Sequence, residues 1–425
     1  MVAQTILPFK LEITNDMITP RAGLALLGEL ICGLRLPDVL DRELPGPGSG
    51  AGFMPSQFVV PLMLMFNGGG RSLEDLREIR MDFGLLELLG IDKVPSSDTT
   101  GDWLRRMGDN GGLGGLSFVN RELLRRGMVG GGERDWTLDI DATEIVAEKQ
   151  EALWTYKGNR GYMPILGHIA ENGMVVGDEF RAGNESPASR NMEFIKYCVS
   201  QMPEGTRIAR LRSDSAAYQA DIFNWCEDNS IRFAIGAPLD VSVMATIRAI
   251  PEKDWVSHGS FSTVDTVHSM DATEKSFSLV VVRRPFQQDL FSGESRIHYN
   301  AIATNLDYGA LDVLSWYNRR GETSENRIKE LKLGFGMERM PCGQFEANAV
   351  FFRIGVLAHN FFLLLKKFGF SNDWLRHQVG TFRWRFYNVA GKVVFHARRI
   401  ILKVGVGSYS LFEDVRRRCY EFAFS

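Results

Sequence analysis

From residue 135 onward the sequence alternates between two periods, and the order of that alternation is what most restricts the fold. "DWTLDIDATEIVA" sets Trp136, Leu138 and Ile140 on one side and Thr137, Asp139 and Asp141 on the other, as a half-buried strand does. "YMPILGHIAENGMVVGDEF" reads as two strands around Asn172-Gly173, a strong hairpin signal. "SPASRNMEFIKYCVSQMP" predicts a helix with Ser186 at its cap and Pro187 at its first position. "RIARLRSD" then reads as a strand ending at Asp214, "SAAYQADIFNWCEDN" as a helix and "IRFAIGAP" as a strand. Strand, hairpin, helix, strand, helix, strand describes an α/β unit with a mixed five-stranded sheet, three strands antiparallel and two added in parallel.

One closing helix is missing from that order, and it is delayed. Residues 237–298 intervene, rich in Val, Thr, Ser and Phe, with "SFSLVVVRR" as a clear strand, so they read as a β-rich insertion. "GALDVLSWYNRRGETSENRIKELKLGF" supplies the helix afterwards. The expected organisation is a helical N-terminal region (1–130), the first part of the core (131–236), the insertion (237–298), the second part of the core (299–370) and a basic C-terminal region (371–425). That last region carries ten Lys/Arg against four Asp/Glu. Its "FRWRFYN" suits either a strand with one buried face or a DNA-backbone contact.

In the N-terminal region, "RSLEDLREIRMDFGLLELLG" places Leu73, Leu76, Ile79, Phe83 and Leu86 at helical spacing. "VPSSDTTGDWLRRMGD" predicts a capped helix ending in Arg105 and Arg106. A short basic helix pair suits DNA docking, although many helix pairs bind nothing. The glycine-rich "GDNGGLGGLSF" has no phosphate-loop Lys-Ser/Thr and reads as a linker loop.

With 44% hydrophobic and 24% charged residues and a net charge of −3, the chain has globular composition, so any polyanion site must be local. Five scattered cysteines and no close histidine pair argue against a disulfide framework or a zinc cage and for a reducing compartment. The start lacks the layout of a signal peptide. "FVVPLMLMF" is short for a bilayer, and "VFFRIGVLAHNFFLLL" is interrupted by Arg353, His359 and Asn360. The expectation is a cytoplasmic protein without a membrane partner.

Three carboxylates stand out. Asp141 lies on the polar face of the first strand, with Asp139 as its rival. Asp214 lies at the carboxyl end of a later strand, where open α/β sheets place ligand-binding groups. An acid from "YNRRGETSENRIKELK" (317–332) would complete the set, although that stretch could equally be an exposed helix with Glu325–Lys329 support. Three acids in one site need compensating charge, which hard divalent cations supply. Two ions about 4 Å apart stabilise both oxygens of an in-line displacement at phosphorus. A glycosidase using two of these acids would have no need of the neighbouring basic cluster.

These stretches resemble the DDE transposases of bacterial insertion sequences, in the group whose RNase H-like domain carries a β-strand insertion before the last acid. "LDIDATE", "LRSDSAAY" and the 317–332 stretch match the three acid motifs, and "LREIRMDFGLLELLG…PSSDTT" extends the similarity toward the amino end. The family signature is Tyr, two residues, Arg, three residues, Glu, six residues, Lys. Here Tyr317, Arg320, Glu325 and Lys332 match it with four residues between Arg and Glu, and Glu322 competes as the third acid.

The resemblance implies Asp141, Asp214 and Glu325 as catalytic metal ligands for two Mg²⁺ or Mn²⁺ ions. It implies Tyr317, Arg320 and Lys332 as phosphate contacts, and Trp255 as a stacking platform for a flipped base or, equally, a core residue of the insertion. The implied partners are double-stranded DNA, as terminal inverted repeats and target, and a second protomer in the complex with DNA ends.

Overall fold

The computed structural model describes residues 9–48, 50–128, 132, 134–285, 297–321 and 325–424 of the 425-residue chain. A short strand, β1 (Met17–Thr19), leads into the N-terminal helices. The main sheet has nine strands: β2 (Asp135–Ala142), β3 (Ile165–Ile169), β4 (Val175–Glu179), β5 (Arg207–Ser213), β6 (Arg232–Ala237), β7 (Val256–Ser257), β8 (Ser262–His268), β9 (Phe277–Pro285) and β10 (Ile297–Thr304). They lie side by side as β7-β8-β9-β10-β6-β5-β2-β3-β4. β2, β5 and β6 run parallel. The hairpin strands pair antiparallel on one side, so the five strands of the element order form the RNase H-like sheet that order predicts. Gly173 closes the hairpin with φ +77°, and its N–H donates to the Ile169 carbonyl at 2.7 Å.

The insertion continues this sheet. β10 pairs antiparallel with β6, and β9, β8 and β7 follow, so residue 298 falls inside a strand. The run Leu279–Val282 explains why: its side chains are buried on both faces. Leu279 and Val281 pack with Val243, Ile247 and Val264, while Val280 packs with Ile302, Leu306 and Val313. Val313 belongs to the helix that closes the core, so the insertion strands help seat that helix against the sheet.

Helix α1 (Ser97–Asp109) is capped by Ser96, whose hydroxyl accepts from the Thr99 N–H. The glycine-rich stretch is a correction to the linker expectation, because α2 (Gly112–Met128) begins inside it. A Cβ at Gly115 would sit 2.4 Å from the Glu43 carbonyl oxygen, so the glycine there permits close packing of two helices. The 71–90 segment departs from a single helix as well. The chain breaks at Asp82, which caps a new helix by accepting from Leu85 N–H at 3.1 Å. The phase resets there, leaving Phe83 62% exposed while Leu73, Leu76, Ile79 and Leu86 are buried. Likewise the helix expected from Ser186 begins at Asn191. The Ser186 hydroxyl accepts from Ala188 N–H within a turn instead.

α3 (Ala310–Arg320) and α4 (Asn326–Lys329, continuing as a wider π turn to Gly334) carry the 317–332 stretch. α5 (Phe345–Leu364) runs through the centre of the molecule. Its span Phe345–Gly369 is long and apolar enough to cross a membrane, yet its apolar 18-residue stretch is wholly buried within the protein. Arg353 on it pairs with buried Asp178 at 2.7 Å, and Asn360 accepts from Val175 N–H at 2.8 Å. One apolar core runs from Ala22 to Cys419 and joins the N-terminal helices, the sheet, α5 and the tail. "FRWRFYN" is helical here, so it is not a strand. Phe382 and Phe386, four residues apart, are both buried, while Trp384 is 85% exposed. The spacing that suggested alternation is one helical turn seen from its buried side.

Candidate active site

Parallel pairing of β2 with β5 sets the site. The register runs Asp139 against Arg212 and Ile140 against Ser213, so its next step brings Asp141 beside Asp214 at the carboxyl ends of both strands. Neighbouring strands lie about 4.8 Å apart. Asp139 is excluded from this pair by an earlier partner. Its buried carboxylate takes a bidentate ion pair from Arg212 at 2.7 and 2.8 Å. Arg212 also donates to the Trp316 carbonyl at 2.6 Å and stacks 4.9 Å from that ring. Of the two acids in "DID", the inner one binds the core and the outer one faces the cleft. Asp214 starts the following turn, accepting from Ala216 N–H at 3.0 Å.

α3 lays its last turn over these strand ends. Nη2 of Arg320 stands 3.3 Å from Oδ2 of Asp141 and donates to the Ile140 carbonyl at 3.4 Å. The Tyr317 hydroxyl rests on β6 where Gly236 leaves room, since a Cβ there would lie 2.8 Å from it. Burial and the neighbouring Asp214 and Asp141 charges raise the Tyr317 pKa, although Arg320 opposes the shift. Burial works against the charge on Arg320, but Asp141, Tyr317 and Asp214 outweigh it and hold its pKa above the usual value.

Glu325, at the start of α4, is exposed and shares with Asp141 a cavity of about 740 Å³. Thr143, Glu144, Lys329, Lys332 and Arg339 line it too. Lys332 spans it, donating to Thr143 Oγ1 at 3.2 Å and to the Glu144 carbonyl at 2.6 Å. This fixes the loop after β2, and burial lowers the lysine's pKa. Ile328 and Leu331 point into the core from the same segment. Glu322, the competing acid, lies outside the described residues.

The Asp141 carboxyl is pushed up to about 6, first by burial and then by the charges of Asp214 and Glu325, with Arg320 opposing. Asp141 therefore feels the charges of both other acids. Such crowded oxygen donors match the preference of Mg²⁺ or Mn²⁺. In chemistry the set fits hard cations. In geometry it is open: among the described residues, no three His, Cys, Asp or Glu side chains stand close enough to hold one ion. The Arg320 guanidinium takes up one face of Asp141.

The remaining expected contacts lie elsewhere. Trp255 is half-buried in the insertion's own small core, 6.2 Å from Tyr299 by ring centroids, with the Arg283 guanidinium 4.2 Å over its face. Arg105 pairs with Asp102 on α1, and Arg106 is half-buried beside it. Lys329, read from sequence as a helix partner of Glu325, and Arg339, which sequence passed over, line the acid cavity. Glu330 was also passed over as one more charge in a mixed run. It is buried, accepts from Val379 N–H at 2.9 Å and lies 3.6 Å from His359, so it fastens α4 to the core. Its position between Ile328 and Leu331 on the inward face was the available signal.

The profile of transposase DDE domain group 1 matches residues 8–415. The chain belongs to this DDE transposase family. It carries the mixed sheet just described, and Asp141, Asp214 and Glu325 lie on β2, just after β5 and just before α4. No curated protein matches it. Among solved structures it is similar to a piggyBac transposase, determined by cryo-EM as a synaptic complex with hairpin DNA. Identity is 11% over 88% of this chain and 80% of that one, with a TM-score of 0.47, a likeness too remote to carry an inference.

Proposed function

We propose that this DDE transposase binds the terminal inverted repeats of an insertion sequence and performs metal-dependent DNA cleavage and strand transfer in the bacterial cytoplasm. The observation that carries the reading is the strand register that sets Asp141 beside Asp214, with Glu325 opening onto the same cavity as Asp141. Asp141, Asp214 and Glu325 are the residues to hold two Mg²⁺ or Mn²⁺ ions. When bound, these supply Lewis-acid stabilisation of the attacking and leaving oxygens. Arg320 offers a planar fork to a phosphate beside the scissile one, Lys332 a point charge, and Tyr317 a hydroxyl. Arg105 and Arg106 are candidates for contacting end DNA, and Trp255 for stacking on a displaced base once Arg283 leaves its face.

The test is cleavage of duplex DNA carrying the element's end. Asp141→Asn, Asp214→Asn and Glu325→Gln each abolish Mg²⁺-dependent cleavage while retaining end binding. An active Glu325→Gln beside a dead Glu322→Gln would move the third acid to Glu322. Undiminished cleavage by Asp141→Asn and Asp214→Asn would remove the proposal.

A further inference from the structure

A second small sheet lies away from the acids. β1 pairs with β11 (Gly391–His396), which forms a two-residue hairpin with β12 (Arg399–Val404). Ala397 and Arg398 both have positive φ, 48° and 62°, as such a turn requires. Among the described residues, β12 pairs with nothing on its outer side. An edge strand with Ile400, Ile401 and Leu402 in a row is a template for another strand.

Ahead of β1 the chain is "FKLEITND", residues 9–16, with Phe9, Leu11 and Ile13 alternating with Lys10, Glu12 and Thr14. This is strand periodicity, yet the segment belongs to no sheet, and Leu11 and Ile13 are 95% and 97% exposed. Its root is fixed: Asp16 pairs with Lys392 at 2.9 Å and its N–H donates to Thr14 Oγ1. The antiparallel register puts Met17 opposite Val393, so Thr14 would face His396, the last residue of β11. Phe9 to Ile13 therefore project past the hairpin turn. Reaching the outer side of the molecule's own β12 spans three strand spacings, about 14 Å of their roughly 17 Å extended length, which leaves nothing to form a strand.

We propose that residues 9–14 form an exchange arm that adds as an outer strand to β12 of a second copy of this chain. Paired antiparallel over its six residues, the arm sets Glu12 diagonal to both Arg399 and Lys403, with Lys10 facing Lys403, and its length matches the six-residue strand. Main-chain pairing holds such an addition, and the alternate apolar side chains give it register.

The test is the molar mass of the full-length protein by light scattering after gel filtration, at tens of micromolar. The wild type runs as a dimer. Leu11→Lys/Ile13→Lys runs as a monomer with unchanged circular dichroism. Ile400→Pro also runs as a monomer: with His396 and Arg399 closing the turn, the alternation aims the Ile400 N–H at the open edge. Mixing the arm variant with the edge variant restores dimer, because one intact arm meets one intact edge. A monomeric wild type, or a dimer that survives both substitutions, overturns the proposal. Neither result bears on the acid site, which is assayed separately by cleavage.

Discussion

The Arg320 guanidinium is held against the Asp141 carboxylate at 3.3 Å, on the last turn of α3 over the end of β2. A side chain proposed above to grip phosphate is thus the counter-charge of Asp141. Under the proposed function, phosphate would compete with Asp141 for Arg320, and a divalent ion would compete with Arg320 for Asp141. Arg320→Gln is expected to tighten Mn²⁺ binding to DNA-free protein by roughly tenfold, about 1.4 kcal/mol, while cutting DNA cleavage. Calorimetric titration checks the first effect; weaker Mn²⁺ binding by the variant would show that Arg320 supports the ion.

Asp141 also gives a pH dependence. Its folded-state pKa of about 6 lies above the value of about 3.9 in an unfolded chain. Between those values the folded protein holds the proton more tightly, so stability falls as pH rises through the window and levels off above it. The full shift corresponds to about 3 kcal/mol. Asp141→Asn is therefore expected to raise the melting temperature of chelator-treated protein at pH 7.5 and to flatten the stability profile between pH 4 and 6.

The neighbouring acid behaves in the opposite way. Arg212→Ala strands the buried Asp139 carboxylate and should cost about 3–5 kcal/mol, read by urea unfolding. Asp139→Asn should also destabilise. A stability loss here beside a gain at Asp141 would separate the two acids of "DID" by role.

Gly115→Ala tests the packing of α2. The added methyl meets the backbone carbonyl of Glu43, which cannot rotate away, so a loss of about 1–3 kcal/mol is expected. An unchanged unfolding midpoint would mean that the helix pair is loosely packed.

What the sequence disclosed follows from what local patterns encode. The alternation at 135–142, the strand reading of 207–213, the Asn172-Gly173 turn and the order of elements sufficed for the sheet, although β2 is buried on both faces and is not the half-buried strand its alternation suggested. The choice between Asp139 and Asp141 was not legible: both lie on one strand face, and only the partner strand, with Arg212 opposite Asp139, decides it. The glycines of 108–118 misled because a glycine tolerated for close approach looks, in one dimension, like a glycine kept for flexibility. Phe83 misled because a cap at Asp82 restarts the helical phase. The continuation of the sheet through β9 and β10 required a pairing of β10 with β6 that spans about 70 residues of chain.

The most direct test of the account is the number of Mn²⁺ ions that Asp141, Asp214 and Glu325 hold together when end DNA is bound, measured by electron paramagnetic resonance titration. The account predicts two ions per site in the wild-type complex, with binding lost or sharply weakened by Asp141→Asn, Asp214→Asn or Glu325→Gln. Equal Mn²⁺ binding by wild type and all three variants would contradict it.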